Sequence, residues 1–230
     1  MNQRLPRRAF LKISGITIAG MLAACASEQQ PATSHASSTS LSPDEALVKL
    51  VEGNQRFAEG KPQRPNQDAN RRQEVATGQH PFAIILSCSD SRVPPEIVFD
   101  QGIGDLFIVR TAGNIADDVA LGSIEYAVEH LGATLIVVLG HESCGAVTAA
   151  TQGGEAPGNI ATVVEMILPA VESVKDQAGD LVNNSINANA QLVAKQIEET
   201  EPIIAEAVKA GKVKVLSARY DLDRGQVTFF

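Results

Sequence analysis

Strand-length apolar runs that alternate with helical stretches constrain the fold of this 230-residue chain more than any other feature. Residues 82–86, 106–109 and 134–139 form three such runs, and residues 213–217 resemble a fourth strand. Continuous apolar runs of this length are typical of strands buried on both faces of a sheet. Their alternation with helices predicts an α/β fold in which a mainly parallel four-stranded sheet is flanked by helices.

Capping and turn signals mark the two ends of this pattern. Ser42 is a predicted helix N-cap, and Glu45 completes a capping box with it. Residues 220–230 predict a hairpin that turns near Asp223-Arg224-Gly225 and gives the sheet an antiparallel edge. Further helices are predicted at residues 118–131, 160–177 and 186–210, with an irregular segment or a short helix at residues 61–74.

The first residues of the chain are predicted to be a targeting signal rather than part of the folded domain. Residues 1–24 carry four basic side chains, no acidic ones and a short apolar run, which is typical of an export signal. Arg7-Arg8 begins a segment that resembles a twin-arginine signal and departs from it at Pro6. The alternatives are a membrane-anchored tail or a chance basic segment. An anchor is disfavoured because the apolar residues 13–24 are fewer than the roughly 20 that span a bilayer.

A lipid attachment site follows the apolar run. The residues that end at Cys25 resemble a lipobox, in which the cysteine is acylated and becomes the new N-terminus. Residues 25–41 are small, polar and proline-containing and predict a flexible tether. The remaining residues, 42–230, are predicted to form one domain. The expected location is the periplasm or cell envelope, or the thylakoid lumen in a photosynthetic host, with the membrane contacted only through the lipid.

The charge of the chain excludes some partners. The formal net charge is −8, and removal of residues 1–24 makes it −12. An acidic surface of this kind argues against nucleic acid as a partner.

Two polar clusters directly follow two of the predicted buried strands. Ser87-Cys88-Ser-Asp-Ser-Arg92 follows the first, and Gly140-His141-Glu-Ser-Cys144-Gly145 follows the third. Sites in α/β sheets form beyond the carboxyl ends of strands, so these clusters meet if the two strands are neighbours. Two thiolates and one imidazole suit Zn²⁺, and three protein ligands leave a fourth position open. The alternative is a pair of buried cysteines and a core histidine without a metal.

These clusters together resemble the β-class carbonic anhydrases. The resemblance rests on Cys88-Ser-Asp-Ser-Arg92 and on His141-x-x-Cys144-Gly145, and it extends over residues 42–220. The supporting blocks are residues 95–101, 104–110, 112–114 and 122–126.

The resemblance implies a zinc enzyme that reversibly hydrates carbon dioxide to bicarbonate and a proton by means of zinc-bound hydroxide. It assigns the metal ligands to Cys88, His141 and Cys144. It assigns a catalytic dyad to Asp90, which accepts a hydrogen bond from the hydroxide, and Arg92, which holds Asp90 in place. In some members the aspartate instead swings onto the metal, so Asp90 is also a conditional ligand.

The resemblance also implies a pocket and an oligomer. The substrate pocket corresponds to Gln79, Phe107, Ala112 and Tyr126, with Gln79 supplied by the partner subunit. The chain is therefore expected to form a homodimer or a tetramer. Tyr126 and His130 correspond to a proposed proton relay.

Three other functions remain open at this stage. The same site could act on carbonyl sulfide or carbon disulfide, which share the shape of carbon dioxide. The chain could instead be a non-catalytic bicarbonate or redox sensor, which the intact dyad and ligand set disfavour. A lipid-anchored interaction protein with structural zinc is disfavoured because such zinc usually has four protein ligands.

Overall fold

The computed structural model describes residues 41–230 and contains a five-stranded sheet. The strands are β1 Ala83–Cys88, β2 Leu106–Thr111, β3 Leu135–His141, β4 Lys214–Tyr220 and β5 Val227–Phe229. Their order is β2-β1-β3-β4-β5, in which the first four strands are parallel and β5 pairs antiparallel with β4. This confirms the predicted fold class and its antiparallel edge. Every residue of β1 and β3 is buried, as their uninterrupted apolar runs predict.

Helices cover both faces of this sheet. They are α1 Pro43–Ala58, α2 Ala69–Glu74, α3 Pro95–Val98, α4 Asp118–Glu129, α5 Gly145–Gln152, α6 Ile160–Val174, α7 Leu181–Glu198 and α8 Ile203–Lys209. Side chains of α4, α7 and α8 form a core with one face of the sheet, while α1 and α3 pack on the other face. A third apolar cluster at the carboxyl end of β1 contains Cys88 and Cys144 and side chains of α5, α6 and α7.

The start of α1 follows the sequence signals. The Ser42 hydroxyl accepts a hydrogen bond from the Glu45 amide, and the Glu45 carboxylate accepts one from the Ser42 amide at 2.8 Å. Just before this helix, the Leu41 carbonyl accepts a 2.8 Å hydrogen bond from Thr134 Oγ1.

The long helix predicted at residues 186–210 is wrong in its bounds. The structure has two helices there, α7 and α8, and Pro202 is the N-cap of α8. Proline has no amide hydrogen and its ring clashes with the preceding turn, so a continuous helix across this position is disfavoured. The helix predicted at residues 160–177 ends at Val174.

The predictions for residues 1–24, for Cys25 and for the tether before Leu41 lie outside the described residues. Within residues 41–230, no helix is long and apolar enough to cross a membrane.

Candidate metal centre

Parallel neighbouring strands bring the two sequence clusters together. β1 pairs directly with β3, with Ser87 opposite Leu139, so Cys88 and His141 end adjacent strands. Cys144 follows after a short turn and is the N-cap of α5. In that turn Ser143 has a φ of +53°, a conformation that L-residues rarely adopt and that here turns the chain back to the strand end.

The three predicted ligands form one buried group. One ligand atom from each of Cys88, His141 and Cys144 lies within 4.8 Å of the others. The two Sγ atoms are 3.9 Å apart. Two Zn–S bonds of about 2.3 Å at a tetrahedral angle would set the sulfurs about 3.8 Å apart, so the spacing fits a shared zinc ion.

The orientation of His141 supports the same interpretation. Its Nδ1 lies 2.8 Å from the Glu142 carbonyl oxygen, so Nδ1 carries the hydrogen and Nε2 keeps a free lone pair. Nε2 is buried and has no hydrogen-bond partner among the described residues. A buried polar atom without a partner is costly, and a metal ion at this position would satisfy it.

Gly113 forms part of the wall around Cys88. Its amide donates a 3.3 Å hydrogen bond to Cys88 Sγ. Gly113 has a φ of +70°, and a Cβ there would lie 2.6 Å from Ile167 Cδ1. Glycine is therefore required both by backbone conformation and by the close approach of α6.

The two cysteines titrate as a pair. The hydrogen bond from the Cys144 thiol, with further contributions from His141 and the Gly113 amide, lowers the pKa of Cys88. The same pairing, together with burial, raises the pKa of Cys144. Ionisation of one sulfur therefore opposes ionisation of the other, and a bound cation would favour the thiolate form of both.

Asp90 and Arg92 lie beside the ligand group. Arg92 Nε donates to Asp90 Oδ1 at 2.9 Å, and Arg92 Nη2 donates to Oδ2 at 2.8 Å. These hydrogen bonds hold the pKa of Asp90 well below its usual range. Asp90 Oδ2 lies 3.9 Å from Nε2 of His141, so an ionised carboxylate faces the ligand group while both its oxygens remain bound to Arg92.

Two residues at this site received no role from the sequence. Arg110, near the end of β2, donates to the Cys88 carbonyl at 3.0 Å and to the Asp90 carbonyl at 2.6 Å. Its position near the carboxyl end of a predicted parallel strand was the sequence feature that could have indicated a role at the site. Glu142 Oε2 accepts a 3.2 Å hydrogen bond from the Leu222 amide.

The predicted pocket residues, unlike the predicted ligands, lie in separate parts of the subunit. Phe107 pairs with Ile84 in the β1–β2 register. Ile84 lies four residues before Cys88 along β1, so the backbone positions of Ile84 and Cys88 are about 13 Å apart. The Phe107 side chain packs against the core that contains Ile84. Ala112 is exposed beside Gly113, and Gln79 is exposed in the loop before β1.

Tyr126 and His130 are neighbours on the surface at the end of α4. Tyr126 is 48% exposed, and its ring centroid lies 5.1 Å from that of His130. His80, in the loop before β1, is also exposed.

Fold and donor set together define the class of protein. It is an α/β protein in which three side chains that could hold a metal ion meet at the carboxyl ends of neighbouring parallel strands.

Comparison with known sequences gives the family. The carbonic anhydrase family profile matches residues 83–227. Carbonic anhydrase 2 of Mycobacterium tuberculosis is 42% identical over 188 residues, which are 80% of this chain and 91% of the relative. A carbonic anhydrase of Mycolicibacterium smegmatis is 40% identical over 189 residues, which are 80% of this chain and 92% of the relative.

Solved structures agree with the sequence relatives. The β-carbonic anhydrase CcaA superposes with a TM-score of 0.64 at 26% identity and covers 80% of this chain and 94% of its own. A structure from a study of two tetrameric β-carbonic anhydrases of Sordaria macrospora has a TM-score of 0.65 at 25% identity, over 80% of this chain and 96% of its own. This chain belongs to the β-class carbonic anhydrase family and is an enzyme of the lyase class.

Proposed function

We propose that the chain reversibly hydrates carbon dioxide to bicarbonate and a proton at the Cys88–His141–Cys144 centre, with Zn²⁺ as its metal. The observation that carries this proposal is the placing of the Asp90 carboxylate, held by Arg92, beside a buried ligand group. A structural zinc site is disfavoured, because this group has three ligands and not four among residues 41–230.

The donor set determines what the metal contributes. A zinc ion held there would lower the pKa of a bound water molecule and so supply hydroxide as the nucleophile. The protein contributes two thiolates, an imidazole with a fixed tautomer and a surrounding apolar cluster that limits the access of water.

Asp90 and Arg92 have separate roles in this proposal. Asp90 accepts a hydrogen bond from the attacking water, so that an oxygen lone pair points at the carbon of the substrate. Arg92 fixes the carboxylate by two hydrogen bonds, because a planar guanidinium matches a carboxylate in a bidentate arrangement. For Asp90 to become a fourth ligand, as in the closed form of some relatives, these two hydrogen bonds would have to break.

A stopped-flow hydration assay tests the proposal directly. The chain without residues 1–24 is assayed with its zinc counted, because the five-stranded sheet and the ligand group both lie within residues 41–230. We expect about one zinc ion per chain and hydration well above the buffer rate. A zinc-loaded chain that hydrates no carbon dioxide would refute the proposal, and the same preparation then allows carbonyl sulfide and carbon disulfide to be tried.

We also propose that the active form is a homodimer or a tetramer. The structure from the Sordaria macrospora study comes from work on tetrameric enzymes, which supports an oligomer. Gln79 is exposed, as a residue that completes the pocket of a partner subunit would be in one subunit. Light scattering coupled to size exclusion should give two or four subunits, and an active monomer would contradict this proposal.

The proton relay through Tyr126 and His130 is likewise a proposal. It is supported by their adjacent rings and their exposure to solvent. Replacement of His130 by alanine should slow hydration mainly in weak buffer, because concentrated buffer carries the proton instead. An equal loss in weak and strong buffer would contradict the relay.

The location proposed from the sequence is the cell envelope. It rests on Arg7-Arg8 and Cys25, with export by the twin-arginine route and a lipid anchor. Cell fractionation should find the full chain in the membrane fraction and a Cys25→Ser variant outside it. Mass spectrometry of the mature N-terminus then decides whether Cys25 is acylated.

A further inference from the structure

Arg110 connects the metal ligand and the catalytic dyad through their backbones. Its Nε donates to the Cys88 carbonyl at 3.0 Å, and its Nη2 donates to the Asp90 carbonyl at 2.6 Å. In the β1–β2 register Arg110 lies opposite Ser87, so its side chain starts beside the end of β1 and follows the chain into the next loop. One rigid group thereby joins two carbonyls that are two residues apart.

The loop that begins between these carbonyls is also held by four other hydrogen bonds. The Ser89 amide donates to the Thr111 carbonyl, and the Val93 amide donates to the Asp90 carbonyl. The Arg92 amide donates to Asp90 Oδ1 at 2.9 Å, and Arg92 Nη2 donates to the Ser143 carbonyl at 3.3 Å. The Asp90 side chain is bound by Arg92, whose guanidinium is half exposed. The direction of the Asp90 Cα–Cβ bond therefore depends on how firmly the backbone is held at Asp90.

Arg110 has no carboxylate within ion-pair distance among residues 41–230. Its guanidinium instead donates both of these hydrogen bonds to the loop of the metal site. A guanidinium presents its donors in a fixed planar fork, whereas a lysine ammonium could satisfy only one of these carbonyls well. The arrangement thus uses a property that is specific to arginine.

We propose that Arg110 is a positioning residue for the hydration reaction, which fixes the backbone of Asp90 relative to the metal ligand Cys88. It acts on the reaction through Asp90 and does not touch the substrate. This inference rests on the proposed function of the Asp90–Arg92 pair. Arg110, from β2, is thus a second arginine that helps to orient the Asp90 carboxylate.

A double-mutant cycle between Arg110 and Arg92 tests the proposal. Arg110→Met should keep its zinc and lower kcat by about 10- to 100-fold, because small misplacements of a catalytic group have effects of this size. In an Arg92→Ala background the same replacement should lower kcat by a much smaller factor, because the Asp90 carboxylate is no longer held in its orientation. Arg110→Lys should recover only part of the loss.

The control is Arg72→Met, which removes one positive charge from an exposed side chain in α2. It should leave kcat and zinc content unchanged. Three results would overturn the proposal: wild-type kcat in Arg110→Met, an equal fold-loss in both backgrounds, or loss of zinc and melting temperature in step with activity. If Arg110→Met does not fold, full activity of Arg110→Lys also overturns it. An inactive wild-type enzyme would instead refute the proposed function itself.

Discussion

At the scale of single residues, the site depends on side chains that are each held by one or two short contacts. The His141 imidazole is oriented by the Glu142 carbonyl, and Cys88 accepts a hydrogen bond from the Gly113 amide. Asp90 is oriented by Arg92. The contacts that orient the metal ligands are different from those that orient Asp90. Single substitutions should therefore separate metal binding from catalysis.

Replacing Cys88 or Cys144 by serine should abolish stable zinc binding. A hydroxyl is a much weaker ligand for zinc than a thiolate, and the remaining two ligands cannot hold the ion. Zinc per chain measured by atomic emission should fall from about one to near zero. The control Ser89→Ala changes an exposed neighbour and should keep its zinc. Full metal content in either cysteine variant would refute the ligand set.

Arg92→Ala should keep zinc and lose most turnover. Without the guanidinium the Asp90 carboxylate is no longer fixed, and a loss of about 100-fold in kcat is expected. Arg92→Lys should remain impaired, because an ammonium keeps the charge without the bidentate geometry. Stopped-flow rates with parallel zinc determination make the measurement. Near wild-type turnover in Arg92→Ala would remove the dyad from the mechanism.

At the scale of elements, close packing and buried charges attach the outer segments to the sheet. The buried Asp100 carboxylate accepts a hydrogen bond from Arg56 of α1 at 2.6 Å. It also accepts hydrogen bonds from the amides of Gln63 and Arg64 at 2.9 and 2.8 Å. One side chain thus joins α1, the segment after it and the turn that follows α3.

Gly53→Ala should destabilise the fold through the contact of α1 with the turn after α3. A Cβ at Gly53 would lie 1.9 Å from the Phe99 carbonyl oxygen, so the helix must move. Overpacking of this kind costs about 1–3 kcal/mol. In the matched control, Gly122→Ala in α4, a Cβ would meet no atom within 4 Å. That variant should gain about 0.5–1 kcal/mol from helix propensity. Urea unfolding would measure both, and a stable Gly53→Ala would contradict the packing argument.

Asp100→Asn should destabilise the protein in a pH-dependent way. Burial alone would raise the pKa of Asp100, but the hydrogen bonds from Arg56, Gln63 and Arg64 outweigh it and lower the pKa. The carboxylate therefore stabilises the fold above the unfolded pKa of about 3.9, and this contribution disappears as pH falls through the lower folded value.

The expected loss for Asp100→Asn is about 1.5–3 kcal/mol at neutral pH, the range for hydrogen bonds to a charged group. The difference from wild type should shrink as pH falls below about 4. Asp44→Asn is the control, because Asp44 pairs with Lys214 on the surface and should contribute less than about 1 kcal/mol. A difference for Asp100→Asn that does not change with pH would show that the charge is not the cause.

At the scale of the whole molecule, the sheet determines where chemistry can occur. The central strands β1 and β3 are buried and adjacent, and their carboxyl ends open towards α5, α6 and α7. Enzyme behaviour against pH should therefore reflect the donor set.

The rate of hydration should rise between about pH 6 and pH 9. Two thiolates cancel the formal charge of a zinc ion, so the pKa of its bound water should lie above the value of about 7 found with three histidine ligands. Initial rates over this range in buffers of constant ionic strength make the test. A flat profile would reject the argument from thiolate charge.

Much of this architecture could be predicted from the sequence, because its causes are local. Uninterrupted apolar runs predict buried parallel strands, and Ser42 with Glu45 predicts the start of α1. Cys88 and His141 directly follow such runs, so their position at strand ends needed no tertiary information. The single helix predicted across residues 186–210 was wrong although Pro202 is a local signal against it, because the prediction followed the apolar pattern and overlooked the proline.

The sequence alone determined the strands, the edge at which a site can form and the types of ligand available there, since these depend on short-range pattern and composition. Tertiary structure decided that β1 lies between β2 and β3, and hence that a ligand from each cluster faces the other. It also decided that the Arg110 side chain reaches the carbonyls of Cys88 and Asp90 from another strand. Such contacts join residues far apart in the chain, and their geometry is set by how strands pair and how side chains pack once the whole domain has formed.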